Sequence, residues 1–403
     1  MFDIFAEGGD SRPLTACKFK TNAPTSRQPH ALFGSRASTA YCARRIGEDG
    51  PVFLGAGRYD HSTPSALSSY VARLTSDDAD LATATRRFEK SVCRLAGMDT
   101  AAAAAYFGGG ALTHACALAL KATGRRLIVA SAGVNPAYLH DLEHRSSLGA
   151  FDFHVVPLVN GATDVAALVD VLAKDGERTA AVVAQYPNYY GVLERFDATV
   201  DAARRVDAAL IVSSNLMDLP ALKSPGQWGA DLVVGDAQPT WLGARYGDGH
   251  LGFAAATESF MARLRASKTP VRFDEVELRS ISELDASRAV VAVESLARHA
   301  FADSSDLFDA AVASRRLARF ARASLAAAGF KFHYDAPFWR EFAVKIDDPE
   351  GLNRLLLKWG VVGGLELEDG ILIAFTEKRS KEEIEELVYL MTEHQFGKGR
   401  ANA

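Results

Sequence analysis

Three consecutive glycines, Gly108, Gly109 and Gly110, begin the alanine-rich stretch "GGGALTHACALAL". If that stretch is helical, its first turn presents backbone N–H groups that no side chain obstructs, and such groups bind phosphate. The same glycines would also suit a tight turn that only allows close packing. The sequence therefore offers a candidate phosphate-binding turn, and the glycines alone leave both interpretations open.

A second candidate site follows an apolar run in "DLVVGDAQPTWLG", which spans Asp231 to Gly243. The apolar half predicts a buried strand, and a polar turn centred on Gln238 comes after it. The nearest lysines are Lys223 and Lys268. Schiff-base formation with a carbonyl needs an amine, and an amide nitrogen cannot form an imine because it is delocalised into its own carbonyl. The turn therefore lacks amine chemistry.

Two histidines could line a cleft, although a lone histidine is more often structural. They are His61, in "GRYDH", and His114, in the stretch after the glycines. Four aromatic residues are expected in the core or at an interface rather than as stacking platforms. These aromatic residues are Tyr189, Tyr190, Trp241 and Trp339.

The composition limits the class of protein and its partners. A chain of 403 residues with 48% hydrophobic residues suits two lobes. The net charge of −5 gives no reason to expect nucleic acid or an anionic membrane face as a partner. Four scattered cysteines without C-x-x-C spacing indicate reduced thiols and no metal site. With no signal peptide or spanning segment visible, the chain is expected in the cytoplasm.

From about Leu127, short apolar runs alternate with helical stretches, which predicts an α/β domain with a mostly parallel sheet. One predicted helix opens on a capping Thr163 and closes on Gly176. The basic cluster from Arg315 to Arg322 is expected to form a solvated helix face. The six predicted strands lie in "RRLIVAS", "DFHVVPLV", "TAAVVAQYP", "AALIVSS", "DLVVGD" and "HLGFAAA".

After about residue 265 the pattern changes to long alanine-rich helices followed by a few strands, which predicts a smaller C-terminal α+β domain. Its predicted helices include "ASRAVVAVESLARHAF" and "DAAVASRRLARFARASLAAAG", and its strands include "FKFHYDA" and "EFAVKI". Ser380 and Glu383 have the spacing of a capping box. The predicted division is an arm at 1–52, a large domain at 53–265 and a small domain at 266–403.

Six ordered motifs from Phe53 to the C-terminal region resemble one family, the glycine decarboxylase P-proteins, and in particular their α subunit. This resemblance implies the aspartate-aminotransferase fold of fold type I pyridoxal-phosphate enzymes. It also implies a partner β subunit that carries the cofactor. The motifs are "FLGAGRYDH", "RLAGMD", "VVAQYPNYYGVLE", "PGQWGADLVVGDAQ", "HLGF" and "FTEKRSKEEIEELV".

The resemblance also assigns expected roles to individual residues. The glycine turn would hold the cofactor phosphate, and Asn188 resembles the asparagine that bonds the ring hydroxyl. Asn215 falls near the position of the carboxylate that holds the ring nitrogen, with Asp218 three residues on as a displaced alternative. Gln238 takes the place of the Schiff-base lysine, while Lys268 stands some thirty residues too late. The expectation is no covalent cofactor, with pyridoxal phosphate only in a partner or held non-covalently.

Two segments depart from the family pattern, after "YDH" and after "MARL", so partner contacts are expected to differ. Three hypotheses follow. The chain is a non-catalytic α-like subunit of a glycine decarboxylase, or a repurposed stand-alone enzyme or binding protein for a small anionic or amino-acid ligand, or a structural homodimer. The expected assembly is a homodimer or a hetero-oligomer with a β-like subunit.

Overall fold

The computed structural model describes residues 50–56, 59–61, 78–104, 108–237, 252–268 and 304–397. Nine strands precede residue 257 in this part of the chain, seven of them in one sheet of order β1-β9-β8-β7-β6-β2-β3. Neighbours from β3 to β8 pair in parallel, and β9 runs antiparallel to both β8 and β1. The strands are β1 (Thr100–Ala104), β2 (Leu127–Ser131), β3 (Asp152–Val156), β4 (Leu158–Val159), β5 (Ala162–Thr163), β6 (Thr179–Gln185), β7 (Ala209–Ser213), β8 (Leu232–Asp236) and β9 (Gly252–Ala256).

Helices cover both faces of this sheet, which explains why its strands are apolar on both sides. One face packs against α1, α4 and α5, and the other against α2, α3 and α7. Alternate residues of a strand enter the two cores, as Ile128 and Val129 of β2 do. The helices are α1 (Asp78–Ala96), α2 (Gly108–Thr123), α3 (Pro136–Ser147), α4 (Val165–Asp175), α5 (Asp197–Arg205), α6 (Pro225–Trp228) and α7 (Glu258–Ala266).

A smaller antiparallel sheet of order β10-β12-β11 forms the C-terminal lobe. Its core includes Phe342 and Ile373 from the sheet and Ile384 from the last helix. The lobe comprises α8 (Ser304–Ala327), β10 (Glu341–Lys345), α9 (Pro349–Lys358), β11 (Leu365–Leu367), β12 (Gly370–Ala374) and α10 (Lys381–Phe396). Within the described residues, no helix is long and apolar enough to cross a membrane.

The described residues 50–56 and 59–61, here called the segment 50–61, pack on this smaller lobe. Val52 bridges to Val362, and Phe53 lies in the core of the small lobe, where its ring meets Phe375 edge to face. Farther along the segment, Asp60 pairs with Lys378 and Arg379, both following β12. The segment thereby carries Tyr59 and His61 toward the large sheet. The proposed domain boundaries at residues 52 and 265 stay predictions.

Most predicted elements are confirmed, with four corrections. All six predicted strands form, but β9 is antiparallel. Strand β1 was not predicted, because "TAAAA" consists mostly of alanines, which favour helices. Asp164, not Thr163, caps α4, since the carboxylate of Asp164 accepts the N–H of Ala167, whereas Thr163 lies in β5. "FKFHYDA" pairs with β10 only at a bridge from Phe332 to Val344.

The remaining helix predictions divide into confirmed ones and one outside the described residues. The capping box at Ser380 and Glu383 is present, with both reciprocal hydrogen bonds. The helix predicted at "ASRAVVAVESLARHAF" lies outside the residues that the structure describes. The basic cluster is only partly solvated. Arg315 donates to the carbonyl of Phe338, and Arg322 lies over the ring of Phe332.

Candidate functional site

A polar cleft opens where the carboxyl ends of β6, β7 and β8 meet the small lobe. This edge of a parallel sheet is the usual ligand-binding place in α/β domains. The cleft spans about 490 Å³ including its open mouth. Its described lining consists of Ala56, Tyr59, Asn135, Tyr138, Gln185, Pro187, Ser213, Ser214, Asn215, Asp218, Asp236, Trp339, Arg340 and Glu341.

A carboxylate of the chain itself occupies the glycine turn at the start of α2. Asp236, the last residue of β8, accepts the backbone N–H of Gly108 at 2.6 Å and the hydroxyl of Tyr138 at 2.8 Å. The positive end of the helix favours this negative charge. A Cβ at Gly108 would lie 2.8 Å from the Asp236 carboxylate, so the approach needs glycine at this position.

This arrangement does not fit the phosphate of pyridoxal phosphate. The N–H of Gly108 is already engaged by a negatively charged group, and a phosphate brought to the same place would be repelled by the Asp236 carboxylate. The described lining of the cleft also contains no lysine. The described lining therefore has neither a vacant anion cradle nor an amine for this cofactor.

An arginine and an aspartate form a buried ion pair in the wall of the cleft. Arg340 faces Asp218 through two nitrogen–oxygen contacts of 3.1 Å, and the indole N–H of Trp339 donates to the same carboxylate at 2.7 Å. Burial opposes the charge on Arg340, but the Asp218 carboxylate raises the pKa of the guanidinium above its ordinary value. Burial raises the pKa of Asp218, and Arg340 counteracts that shift. This pair is consequently satisfied within the protein.

The same guanidinium connects the pair to the segment 50–61. Arg340 donates to Nε2 of His61 at 2.7 Å, and Nδ1 of His61 donates to Glu377 at 2.7 Å. Because Nε2 accepts, the proton of this histidine lies on Nδ1. The guanidinium also lies 3.7 Å from the centre of the Tyr59 ring, a cation–π contact. The network joins the segment 50–61, Asp218 of the large lobe, and Arg340 and Glu377 of the small lobe.

Glu341 is a buried carboxyl group in the lining of the cleft. Its carboxyl group accepts the Tyr59 hydroxyl at 2.6 Å and the backbone N–H of Ala56 at 2.8 Å. Burial raises the pKa of Glu341 to about 7, against these two hydrogen bonds, which lower it. A carboxyl group with a pKa near neutrality can exchange a proton with a bound molecule at physiological pH.

The side chain of Asn188 forms hydrogen bonds within the protein and stabilises the turn in which it lies. Its amide nitrogen donates to the carbonyl of Gly161 at 2.6 Å and to Glu194 at 2.8 Å, while its oxygen accepts the N–H groups of Tyr190 and Val192 at 3.1 Å. Both donors and both lone pairs of the side chain are thereby engaged. Asn188 is not among the described residues that line the cleft.

The other predicted site residues are distributed as follows. Gly108, Gly109 and Gly110 form the first turn of α2, and Asn215 lines the cleft. His61 lies just behind the lining, and His114 is half-buried on α2 without being part of the lining. Trp339 lines the cleft, while Tyr189 and Tyr190 pack edge to face with each other. Gln238 and Trp241 lie outside the described residues.

Lys268 is remote from the cleft. It is exposed, and the hydroxyl of its neighbour Ser267 donates to the carbonyl of Lys121. Lys121 lies in the last turn of α2, whereas Gly108 begins that helix. Thirteen residues of helix separate the two by roughly 20 Å, at about 1.5 Å per residue. The amine of Lys268 therefore belongs to the opposite end of α2.

Sequence reasoning missed Asp236, Arg340 and Glu341 as site residues. Asp236 follows the apolar run in "DLVVGD", whereas Arg340 and Glu341 come just before the apolar run in "FWREFAVKI". Charged residues are almost never fully buried unless paired, so charges at the ends of buried strands are a usable signal. In the described part of the chain, no cluster of three or more His, Cys, Asp or Glu residues could hold a metal ion.

Comparisons with known proteins give matches over most of the chain. Residues 48–270 match the family model described as glycine cleavage system P-protein. A relative named probable glycine dehydrogenase (decarboxylating) subunit 1 from Syntrophomonas wolfei is 32% identical over 375 residues, covering 85% of this chain and 84% of the relative. A relative of the same name from Bacillus subtilis is 32% identical over 379 residues, covering 83% and 82%.

Solved structures show the same fold. A crystal structure of glycine decarboxylase (P-protein) of the glycine cleavage system, in inhibitor-bound form, matches with a TM-score of 0.75 and 27% identity, over 88% of this chain and 87% of that one. A ureidoglycine–glyoxylate aminotransferase from Bacillus subtilis matches with a TM-score of 0.67, over 87% of this chain and 94% of that one. At 13% identity, this second match is a likeness of fold alone.

Proposed function

The chain belongs to the glycine cleavage system P-protein family, and from this premise we propose that it is a non-catalytic α-like subunit supporting glycine decarboxylation by a pyridoxal-phosphate-bearing partner. Subunit 1 is the name that the relatives carry, which supports a hetero-oligomer with a second subunit. The partner would hold the cofactor, which supplies an electron sink for loss of the carboxylate. This chain would complete the assembly without a covalent cofactor of its own.

The observation that carries the proposal is the hydrogen bond from the N–H of Gly108 to the Asp236 carboxylate. It gives the glycine turn an internal anion, which supports a chain that leaves cofactor binding to another subunit. The place of Gln238 in the motif, where a lysine would be needed, agrees with this role and belongs to the proposal. If this chain catalysed the decarboxylation alone, it would have to bind the cofactor at a site other than the glycine turn.

A second candidate is a stand-alone enzyme or ligand-binding protein descended from the family. The open polar cleft favours it, because the lining includes Glu341, whose pKa of about 7 suits proton exchange with a bound molecule. For this candidate the charge of the lining disfavours an anion. Asp236 occupies the turn through which a small anionic ligand would otherwise bind.

The test is reconstitution with the cofactor-bearing subunit from the same host. The expected result is that the two chains co-purify and that release of carbon dioxide from glycine requires both. If the second subunit alone decarboxylates glycine at the full rate, or never associates with this chain, the proposal is wrong.

A spectrum of the isolated chain with added pyridoxal phosphate complements this test. We expect no shifted absorbance band and no peptide labelled after borohydride reduction. A lysine peptide labelled in the isolated chain would instead establish a catalytic subunit, and the proposed non-catalytic role would fall.

A further inference from the structure

The cleft lining contains a serine hydroxyl that no protein group engages. Ser213, at the end of β7, is 4% exposed and lines the cleft, and its side chain forms no hydrogen bond with any described residue. Its neighbour Ser214 donates to the carbonyl of Tyr186. The Ser213 hydroxyl is therefore available to hydrogen-bond a polar molecule that enters the cleft.

Two amide side chains beside Ser213 have a fixed orientation. The oxygen of Asn215 accepts the N–H of Met217 at 2.9 Å, and the oxygen of Gln185 accepts the N–H of Asn135 at 2.9 Å. A backbone N–H selects the oxygen of each amide, which leaves both NH₂ groups as donors without a described acceptor. The molecule that fits must therefore offer an oxygen acceptor.

The charges of the lining select the other end of that molecule. The charged residues of the described lining are three carboxyl groups, Asp218, Asp236 and Glu341, and one guanidinium. That guanidinium, Arg340, pairs directly with Asp218 and also acts on Glu341. The hydrogen-bond partners of Asp236 and Glu341 are uncharged: an N–H and a hydroxyl for each carboxyl group. A lining with more carboxyl groups than cations favours a positively charged ligand and disfavours a phosphate or a carboxylate.

From these three observations we propose that the cleft of this chain binds a small amino alcohol. Its ammonium group faces the carboxyl groups of Asp236 and Glu341, and its hydroxyl oxygen accepts from Asn215 and Gln185 while it contacts Ser213. The pKa of about 7 at Glu341 supports the assignment, since a bound cation would stabilise the ionised form. The side chains that act on Glu341 in the free protein are Tyr59, Arg340 and Asp218, and the ligand's ammonium group would add a further positive charge beside it.

Titration calorimetry on the isolated full chain with ethanolamine tests the proposal, and it needs no partner subunit. We expect a dissociation constant below about 1 mM, corresponding to roughly −4 kcal/mol. Ethylene glycol, which lacks the ammonium group, and inorganic phosphate should both fail to bind. No ethanolamine binding, or equal binding of ethylene glycol, would overturn the proposal, as would phosphate displacing ethanolamine.

Three substitutions locate the site. Ser213→Ala removes a hydroxyl that makes no hydrogen bond with the described residues, so the fold should be unaffected. The substitution should weaken ethanolamine binding by about threefold to tenfold, as expected for one hydrogen bond. Glu341→Gln should weaken it by about tenfold or more, because a charge-assisted contact is lost. Glu143→Gln, at an exposed position on α3, is the matched control and should leave binding unchanged. Unaltered binding in both cleft variants would place the amine elsewhere and refute the proposal.

Because the assay uses the isolated chain, its outcome separates from that of the proposed function. Amine binding without any effect of this chain on a partner's decarboxylation would refute the subunit role and leave the cleft ligand in place. Partner-dependent decarboxylation without amine binding would do the reverse.

Discussion

At the scale of single residues, the cleft is defined by carboxyl groups that differ in how they are compensated. Asp218 has a guanidinium and an indole N–H, and Asp236 has the N-terminus of α2. Glu341, which is buried, has a hydroxyl and one backbone N–H as hydrogen-bond donors, and the guanidinium that acts on it is paired with Asp218. Burial penalises the ionised form most where compensation is least. This difference explains why the pKa of Glu341 reaches about 7.

Glu341 should make stability depend on pH. Its folded-state pKa of about 7 exceeds the ordinary 4.5, so between these values the folded chain binds more protons than the unfolded chain. The free energy of unfolding should then fall as pH rises through this window, by up to on the order of 3 kcal/mol from this group. Urea unfolding at several pH values, compared between wild type and Glu341→Gln, measures it. Because other buried carboxyl groups act in both proteins, the difference between the two slopes is the result, and identical slopes would contradict the assignment.

At the scale of elements, the segment 50–61 decides how the two lobes meet. Asp60 is buried and pairs with Arg379, itself 5% exposed, and with Lys378. Glu383 is the other partner of Arg379, one turn into α10. The pair anchors the segment next to Tyr59 and His61, so the anchor indirectly positions the wall of the cleft.

Breaking this anchor should destabilise the protein. Asp60→Asn leaves Arg379 buried with only the more exposed Glu383, and removing one partner of a buried ion pair costs about 3–5 kcal/mol. Burial raises the pKa of Asp60, so the cost should be at the lower end of that range. Thermal unfolding measures the effect. Asp335→Asn is the control, since its contact with Arg322 is 3.8 Å long and the Asp335 side chain is exposed. Equal melting temperatures for the two variants would argue against an anchoring role.

The elements also explain what could be predicted from the sequence. Runs of valine and isoleucine predict β2, β6, β7 and β8 because strands covered on both faces must be apolar throughout. The cleft wall was not predictable in the same way. The bond from Arg340 to His61 joins residues 279 positions apart, and no local pattern encodes such a contact. Asn188 illustrates the converse, since its residue type suggested a ligand contact whereas the structure engages its amide in a turn.

At the scale of the whole molecule, the described surface retains large apolar side chains that water does not favour. Trp359 and Tyr389 are 63% and 62% exposed, and Phe308 and Val312 are exposed one helical turn apart on α8. Single exposed apolar residues are ordinary, but an adjacent pair on one helix face is typical of contact surfaces. Together with the subunit naming of the relatives, this supports an assembly.

We therefore expect the 43.3 kDa chain to sediment as a dimer or a larger assembly. Closed homodimers are the commonest soluble assemblies, and a partner subunit could replace one copy through the same surface. Sedimentation velocity of the chain alone and with the cofactor-bearing subunit measures this. Phe308→Ser should shift the distribution toward monomer if α8 contributes to the contact, while Glu143→Gln on α3 should not. If the chain sediments as a monomer in both samples at micromolar concentration, the assembly is excluded. The proposed subunit role would then lose its physical basis, whereas the fold and the cleft would be unaffected.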